Sequence, residues 1–165
     1  MNTRARDSVT AHRGFLLDTS VISALAPGRE SQLPTEFGDW LHQNTTRLYV
    51  PCIAVAELAQ GICKLHRSGG VERAGRLAQW LDQLIAVYGE RILALDASSA
   101  RLAGQLSDQA LAQGKHPGFA DVAIAALSQH GGHLLLTRNL KHFQPLGIIC
   151  VDPLATPPSQ WPTKQ

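Results

Sequence analysis

The feature that most constrains this chain of 165 residues is the alternation of short apolar runs with longer helical patterns. Runs at Phe15–Leu17, Leu48–Val50, Arg91–Leu95, His133–Thr137 and Ile148–Val151 read as strands. Asp18, Thr19 and Ser20 can each cap a short helix from Val21 to Ala26, which Pro27-Gly28 ends. Phe37, Trp40 and Leu41 recur at helical spacing. A helix from about Ile53 to His66 carries the apolar stripe Ala54, Leu58, Ile62 and Leu65. After Gly69-Gly70, a second helix from Val71 to Tyr88 turns Leu77, Trp80, Leu81, Leu84 and Ile85 inward. Asp96 caps a helix to about Gln113, and a loop over 114–118 leads into an almost wholly apolar helix ending near Gln129. The connections between strands are too long for hairpins. Neighbouring strands must therefore run parallel, with helices on both faces of the sheet, giving a three-layer α/β/α fold.

This length suits one domain, expected over 14–153, after a mobile segment over 1–13 and before a polar, proline-rich tail over 154–165. A hydrophobic fraction of 44% with 17% charged residues excludes a disordered chain. No apolar run is long enough to cross a bilayer and residues 1–13 lack a secretory leader's apolar stretch, so a cytoplasmic location with no membrane partner is expected. The net charge of +2 is compatible with nucleic acid but does not demand it. Cys52, Cys63 and Cys150 lack metal-knuckle spacing and are expected to be buried, reduced thiols. His130 and His133 flank Gly131-Gly132 and fit a turn better than a zinc site, while the remaining histidines are expected to face solvent. Phosphate-binding P-loop, dinucleotide and G-x-S-x-G patterns are all absent.

The candidate chemistry lies in acids. In a parallel sheet, sites form beyond the C-terminal ends of the strands, where Asp18 and Asn139 fall. Asp18 reads equally as an N-cap or a ligand. Glu57 interrupts the most apolar helix start in the chain, although a partly exposed helix glutamate would also explain it. Asp121 is the one charged residue between Gly118 and His130, on a helix otherwise built for burial. Asn139 follows the fourth strand and fits a turn, with His142 three residues on. Were Asp18, Glu57 and Asp121 to converge, two carboxylates about 4 Å apart would repel by roughly 4 kcal/mol at an effective dielectric of about 20. A hard divalent cation such as Mg²⁺ would relieve that repulsion.

These positions carry a family pattern. Leu16-Leu17-Asp18-Thr19-Ser20-Val21-Ile22-Ser23 resembles the opening motif of PIN-domain proteins. Val55-Ala56-Glu57-Leu58-Ala59-Gln60-Gly61 resembles their second motif, and Phe119-Ala120-Asp121-Val122-Ala123-Ile124-Ala125-Ala126 their third. Leu136-Thr137-Arg138-Asn139-Leu140-Lys141-His142-Phe143 resembles the fourth. The match runs in order from about Phe15 to Pro153 and is most similar to VapC- or FitB-type toxins of bacterial toxin–antitoxin pairs. The resemblance implies a five-stranded parallel sheet in the order 3-2-1-4-5 and an endoribonuclease dependent on Mg²⁺ or Mn²⁺. Asp18, Glu57 and Asp121 would be its acids and metal ligands, with Glu57 as ligand or base. Thr19 and Ser20 would orient a carboxylate or bind a phosphate, and Arg138 and Lys141 would contact the RNA backbone. Family members often carry a fourth acid at the position of Asn139 or of His142. Neither residue is acidic here, which favours one metal site over two. Also implied are an RNA substrate, a DNA-binding antitoxin of ribbon–helix–helix type, and a homodimer formed around Ile53 to Tyr88. The alternatives are an RNA-processing nuclease without an antitoxin and a catalytically weakened PIN fold that serves as a binding module.

Overall fold

The computed structural model describes residues 12–29 and 33–162. Most of the segment expected to be mobile, residues 1–11, lies outside the described residues. The five strands are β1 (Gly14–Leu17), β2 (Leu48–Pro51), β3 (Ile92–Leu93), β4 (His133–Leu136) and β5 (Cys150–Val151). They form one parallel sheet in the order β3-β2-β1-β4-β5. The helices are α1 (Thr19–Ala24), α2 (Thr35–Gln43), α3 (Cys52–Arg67), α4 (Val71–Tyr88), α5 (Ala97–Ala112), α6 (Phe119–Gly131) and α7 (Leu140–Phe143).

The sheet is buried on both faces because its strands alternate apolar residues of opposite direction. Phe15 and Leu17 of β1, with Leu134 and Leu136 of β4, pack on Val21 and Ile22 of α1, Phe37 of α2 and Ala54 of α3. Leu16 and Leu135 point the other way, onto Ala103 and Leu106 of α5, Ile124 and Leu127 of α6, and Phe143 of α7. Helix α6 is buried from Val122 through Ser128, as its apolar sequence requires. It ends where Gly132 adopts φ 67°, the left-handed cap a side chain would resist. Gly14 has a different constraint: a Cβ there would lie 2.7 Å from the Arg47 carbonyl oxygen and 2.6 Å from the Tyr49 ring. Close approach of β1 to β2 therefore needs glycine at that position.

Several sequence expectations need correction. The third strand has two residues because Gly89–Arg91 forms a 3₁₀ turn before it. The fifth begins at Cys150, and Ile148 instead packs into the α5–α6 side of the core. Ile85 is exposed, on the outer edge of the α4 stripe. Cys63 is exposed and Cys52 and Cys150 are half-buried, so the expectation of buried thiols fails, most clearly for Cys63 on the outer face of α3. His12 is buried rather than solvent-facing, with its Nε2 3.0 Å from the carbonyl oxygen of Pro162. The described part of the expected tail, residues 154–162, packs as well: Trp161 meets Trp40 with ring centroids 4.5 Å apart and Phe15 at 5.9 Å, and its indole N–H donates to the Thr156 carbonyl; residues 163–165 lie outside the described residues. An aromatic ring of that size buries enough apolar area to offset the cost of ordering a polar segment.

Candidate active site

Parallel pairing brings the C-terminal ends of β1 and β4 side by side, with Leu17 opposite Leu136. The next residues, Asp18 and Thr137, are therefore neighbours beyond the same sheet edge. Asp18 is the N-cap of α1, and its Oδ2 accepts from the Ser20 amide at 3.4 Å and the Ser20 hydroxyl at 2.6 Å. The buried Thr137 hydroxyl donates to the same oxygen at 2.7 Å. Among the described residues no hydrogen bond falls on Oδ1, so that oxygen is the one left for a ligand. The cap and ligand readings of Asp18 are thus compatible: one oxygen is tied down and the other is available.

Ser20 and Thr137 also hold the loop after β4. The Ser20 hydroxyl accepts from the Arg138 amide at 3.0 Å, and the Thr137 hydroxyl accepts from the Asn139 amide at 3.0 Å. Asn139 caps α7 without a side-chain hydrogen bond, so its observed part is through the backbone. Of the two positions read as a fourth corner, His142 is the one that meets an acid. Its Nδ1 lies 3.1 Å from Oδ2 of Asp121. Asp121 sits in the first turn of α6 and is partly buried. Burial raises its carboxyl above the ordinary value, His142 opposes that rise, and the charge of Asp18 adds to it. Asp18 and Asp121 are therefore within electrostatic reach of each other.

Glu57 takes a different place. Its Oε2 accepts a short hydrogen bond from the Thr19 hydroxyl. It lines a groove of about 230 Å³ with Thr19, Arg29, Arg73 and Trp80. Asp121 lines a separate cavity of about 410 Å³ with Lys115, His116, Lys141 and His142. Among the described residues, no three His, Cys, Asp or Glu side chains close into a ready-made metal cage. Glu57 is drawn to Thr19 and Asp121 to His142, with Asp18 fixed by Ser20 and Thr137. The donor chemistry nonetheless fits a hard divalent cation: carboxylate oxygens, one of them uncommitted, and an Asp121 whose ionisation is made costlier by burial and by the charge of Asp18.

Three residues were not singled out from sequence. Thr137 is a polar residue closing the all-apolar run Leu134–Leu136, which was the available signal. Lys115 and His116 sit in what reads only as a loop, and nothing in the local sequence points them at Asp121.

Residues 15–145 match the PIN domain family. The chain belongs to that family. It is 30% identical over 141 residues to the plasmid stability protein StbB of Pseudomonas syringae pv. tomato, covering 84% of this chain and 97% of the relative. It is 29% identical over 139 residues to the VapC ribonuclease Y4jK of Sinorhizobium fredii, covering 84% and 96%. Among solved structures, FitAcB from Neisseria gonorrhoeae superimposes with a TM-score of 0.71 at 28% identity, covering 84% of this chain and 97% of that one. VapC- and FitB-type proteins are thus its relatives both by sequence and by structure. No described helix is long and apolar enough to cross a membrane.

Proposed function

We propose that this protein is a metal-dependent endoribonuclease toxin of a type II toxin–antitoxin pair, cutting RNA phosphodiester bonds at the sheet edge marked by Asp18. The observation that carries this reading is the electrostatic proximity of Asp18, the first residue beyond β1, and Asp121, in the first turn of α6. The similarity to a VapC ribonuclease supports the choice of RNA as substrate. Asp18 and Asp121 would hold Mg²⁺, or Mn²⁺ in its place, with Glu57 as a further ligand. When bound, such an ion polarises a phosphoryl oxygen and lowers the pKa of water.

The protein's own groups then have distinct tasks. Ser20 and Thr137 fix Oδ2 of Asp18, so that its other oxygen is presented in one direction. Thr19 holds Glu57, which would serve either as that further ligand or as the base that takes the proton of the attacking water. His142 pairs with Asp121 and keeps that carboxylate oriented before the ion arrives. Asn139 acts through its backbone. An antitoxin, DNA-binding and encoded beside this chain, would oppose the ion by placing a basic group among the acids. The exposed Val71, Ile85 and Val87 make α4 the favoured homodimer surface within the region from Ile53 to Tyr88.

The test is cleavage of RNA by purified protein in Mg²⁺ or Mn²⁺, compared with Asp121→Asn. The variant should lose at least about a hundredfold in rate while keeping its fold by circular dichroism. Equal cleavage by the two proteins would rule out the assignment.

A further inference from the structure

We infer that the cavity beside Asp121 is a subsite for a phosphate of the RNA strand flanking the bond that is cut, with Lys115 and Lys141 as its cationic walls. This rests on the endoribonuclease reading and adds the path of the strand to it. The cavity of about 410 Å³ is closed by residues distant in sequence: the loop after α5 supplies Lys115 and His116, and α7 supplies Lys141 and His142. The loop is pinned where the Lys115 amide donates to the Ala110 carbonyl at 2.9 Å, which sets Lys115 on the cavity wall.

The charge of the lining is one-sided. Asp121 is its single carboxylate, and that group is already engaged by His142. Lys115 donates to the neutral side-chain oxygen of Gln113, and among the described residues neither lysine pairs with a carboxylate. Two ammonium groups around one concavity repel unless an anion lies between them. Acids that gather a metal also repel the substrate's backbone. A strand reaching them therefore needs cations on the approach, and this cavity provides them next to Asp121. Its volume exceeds that of a phosphate, and Pro145 and Leu146 give an apolar surface for the attached sugar. No amide or hydroxyl side chain lines it, and its two ammonium groups suit a phosphate, whose charge is the same whatever the base. Arg138, by contrast, is exposed and does not line this cavity; its amide is spent on Ser20.

The experiment measures binding of a short single-stranded RNA in EDTA, so that no cleavage intervenes, over a series of salt concentrations. Each phosphate contact on a single strand contributes about 0.7 to the slope of log affinity against log salt. The double variant Lys115→Gln/Lys141→Gln should bind more weakly, with the slope reduced by about 0.7 for the one phosphate lost. Lys115→Arg/Lys141→Arg should restore it, and Arg101→Gln, on the exposed side of α5, should leave it unchanged. An unaltered slope in the glutamine double variant, with the parent protein still cleaving RNA in metal, would overturn the subsite alone. Failure of the parent protein to bind RNA would overturn the subsite, and its failure to cleave RNA in metal would overturn the ribonuclease reading and the subsite with it.

Discussion

The hydroxyl of Thr137 donates to Oδ2 of Asp18 at 2.7 Å, joining the first residues beyond β1 and β4 through two buried side chains. The same hydroxyl accepts from the Asn139 amide, so one oxygen serves both the acid and the turn that carries His142. Thr137→Val keeps the volume and removes both bonds. It should destabilise the protein by about 1–3 kcal/mol, the usual consequence of leaving buried polar groups unpartnered. It should also slow metal-dependent RNA cleavage by about 10- to 100-fold, as loss of a group that orients a metal ligand does. Thr137→Ser should retain most of both properties. Denaturant titration and initial rates on the three proteins check this.

Asp121 should destabilise the fold when ionised in the absence of metal. Its carboxyl is raised by burial, opposed by His142, and raised further by Asp18. An acid with a higher pKa in the folded state binds its proton more tightly there, so stability falls as pH rises from the unfolded toward the folded value. Thermal melts in EDTA at pH 7 should place Asp121→Asn above the parent protein. The difference should vanish at pH values below the ordinary carboxylate range. Added Mg²⁺ or Mn²⁺ should raise the melting temperature of the parent protein and have little effect on the variant.

His133 governs acid stability at the other end of the sheet. Burial, with Arg13 and His12 nearby, lowers its pKa to about 4. Its Nδ1 has no hydrogen-bond partner among the described residues, and its ring stacks on Tyr49 with centroids 4.4 Å apart. Because the unfolded chain takes up this proton more readily, stability is full above the ordinary histidine value and is lost as pH falls from about 6.5 to about 4. At about 1.4 kcal/mol per pKa unit the loss cannot exceed roughly 3.5 kcal/mol, and solvent screening of this partly exposed ring makes it smaller. His133→Phe preserves the stack and should flatten the profile across that interval in urea titrations.

Gly14→Ala tests the seam between β1 and β2. The added methyl would lie 2.7 Å from a backbone oxygen, which cannot swing aside as a side chain can. The substitution should cost about 1–3 kcal/mol, the range for overpacking a rigid site. Cleavage per folded molecule should fall as well, because β1 delivers Asp18. Wild-type stability in this variant would show that the seam can widen freely.

What could be read from sequence divides along the reach of the forces involved. Helix α4 spans Val71–Tyr88 as its apolar period indicates, since one continuous stripe and flanking glycines set both ends. Helix α1 starts two residues earlier than its apolar pattern because Asp18 is the cap chosen from three candidates. The parallel direction of the strands was legible because their connections are too long for hairpins, and it was enough to put Asp18 and Asn139 at one edge; their order followed from the family resemblance alone. The pairings that depend on tertiary contact were not legible. Nothing near Trp161 announces that it will pack on Trp40, and nothing near Lys115 announces Asp121. The acids themselves were found, but their arrangement was not: Glu57 is tied to Thr19 and lines a different cavity from Asp121. Asn139 contributes an amide where a side chain was expected.

The bond between Thr137 and Asp18 spans 119 positions of chain, and that distance has a consequence during translation. Asp18, Thr19, Ser20 and Glu57 all leave the ribosome before Thr137 and His142 have been added. Until β4 is available to dock beside β1, Asp18 lacks the hydroxyl that fixes it, and Asp121 lacks its imidazole. A nascent chain is therefore without the assembled acid centre until His142 has been added and β4 has docked. On the ribonuclease reading proposed above, the message and the ribosome producing the chain would be spared until β4 and α7 had emerged and docked.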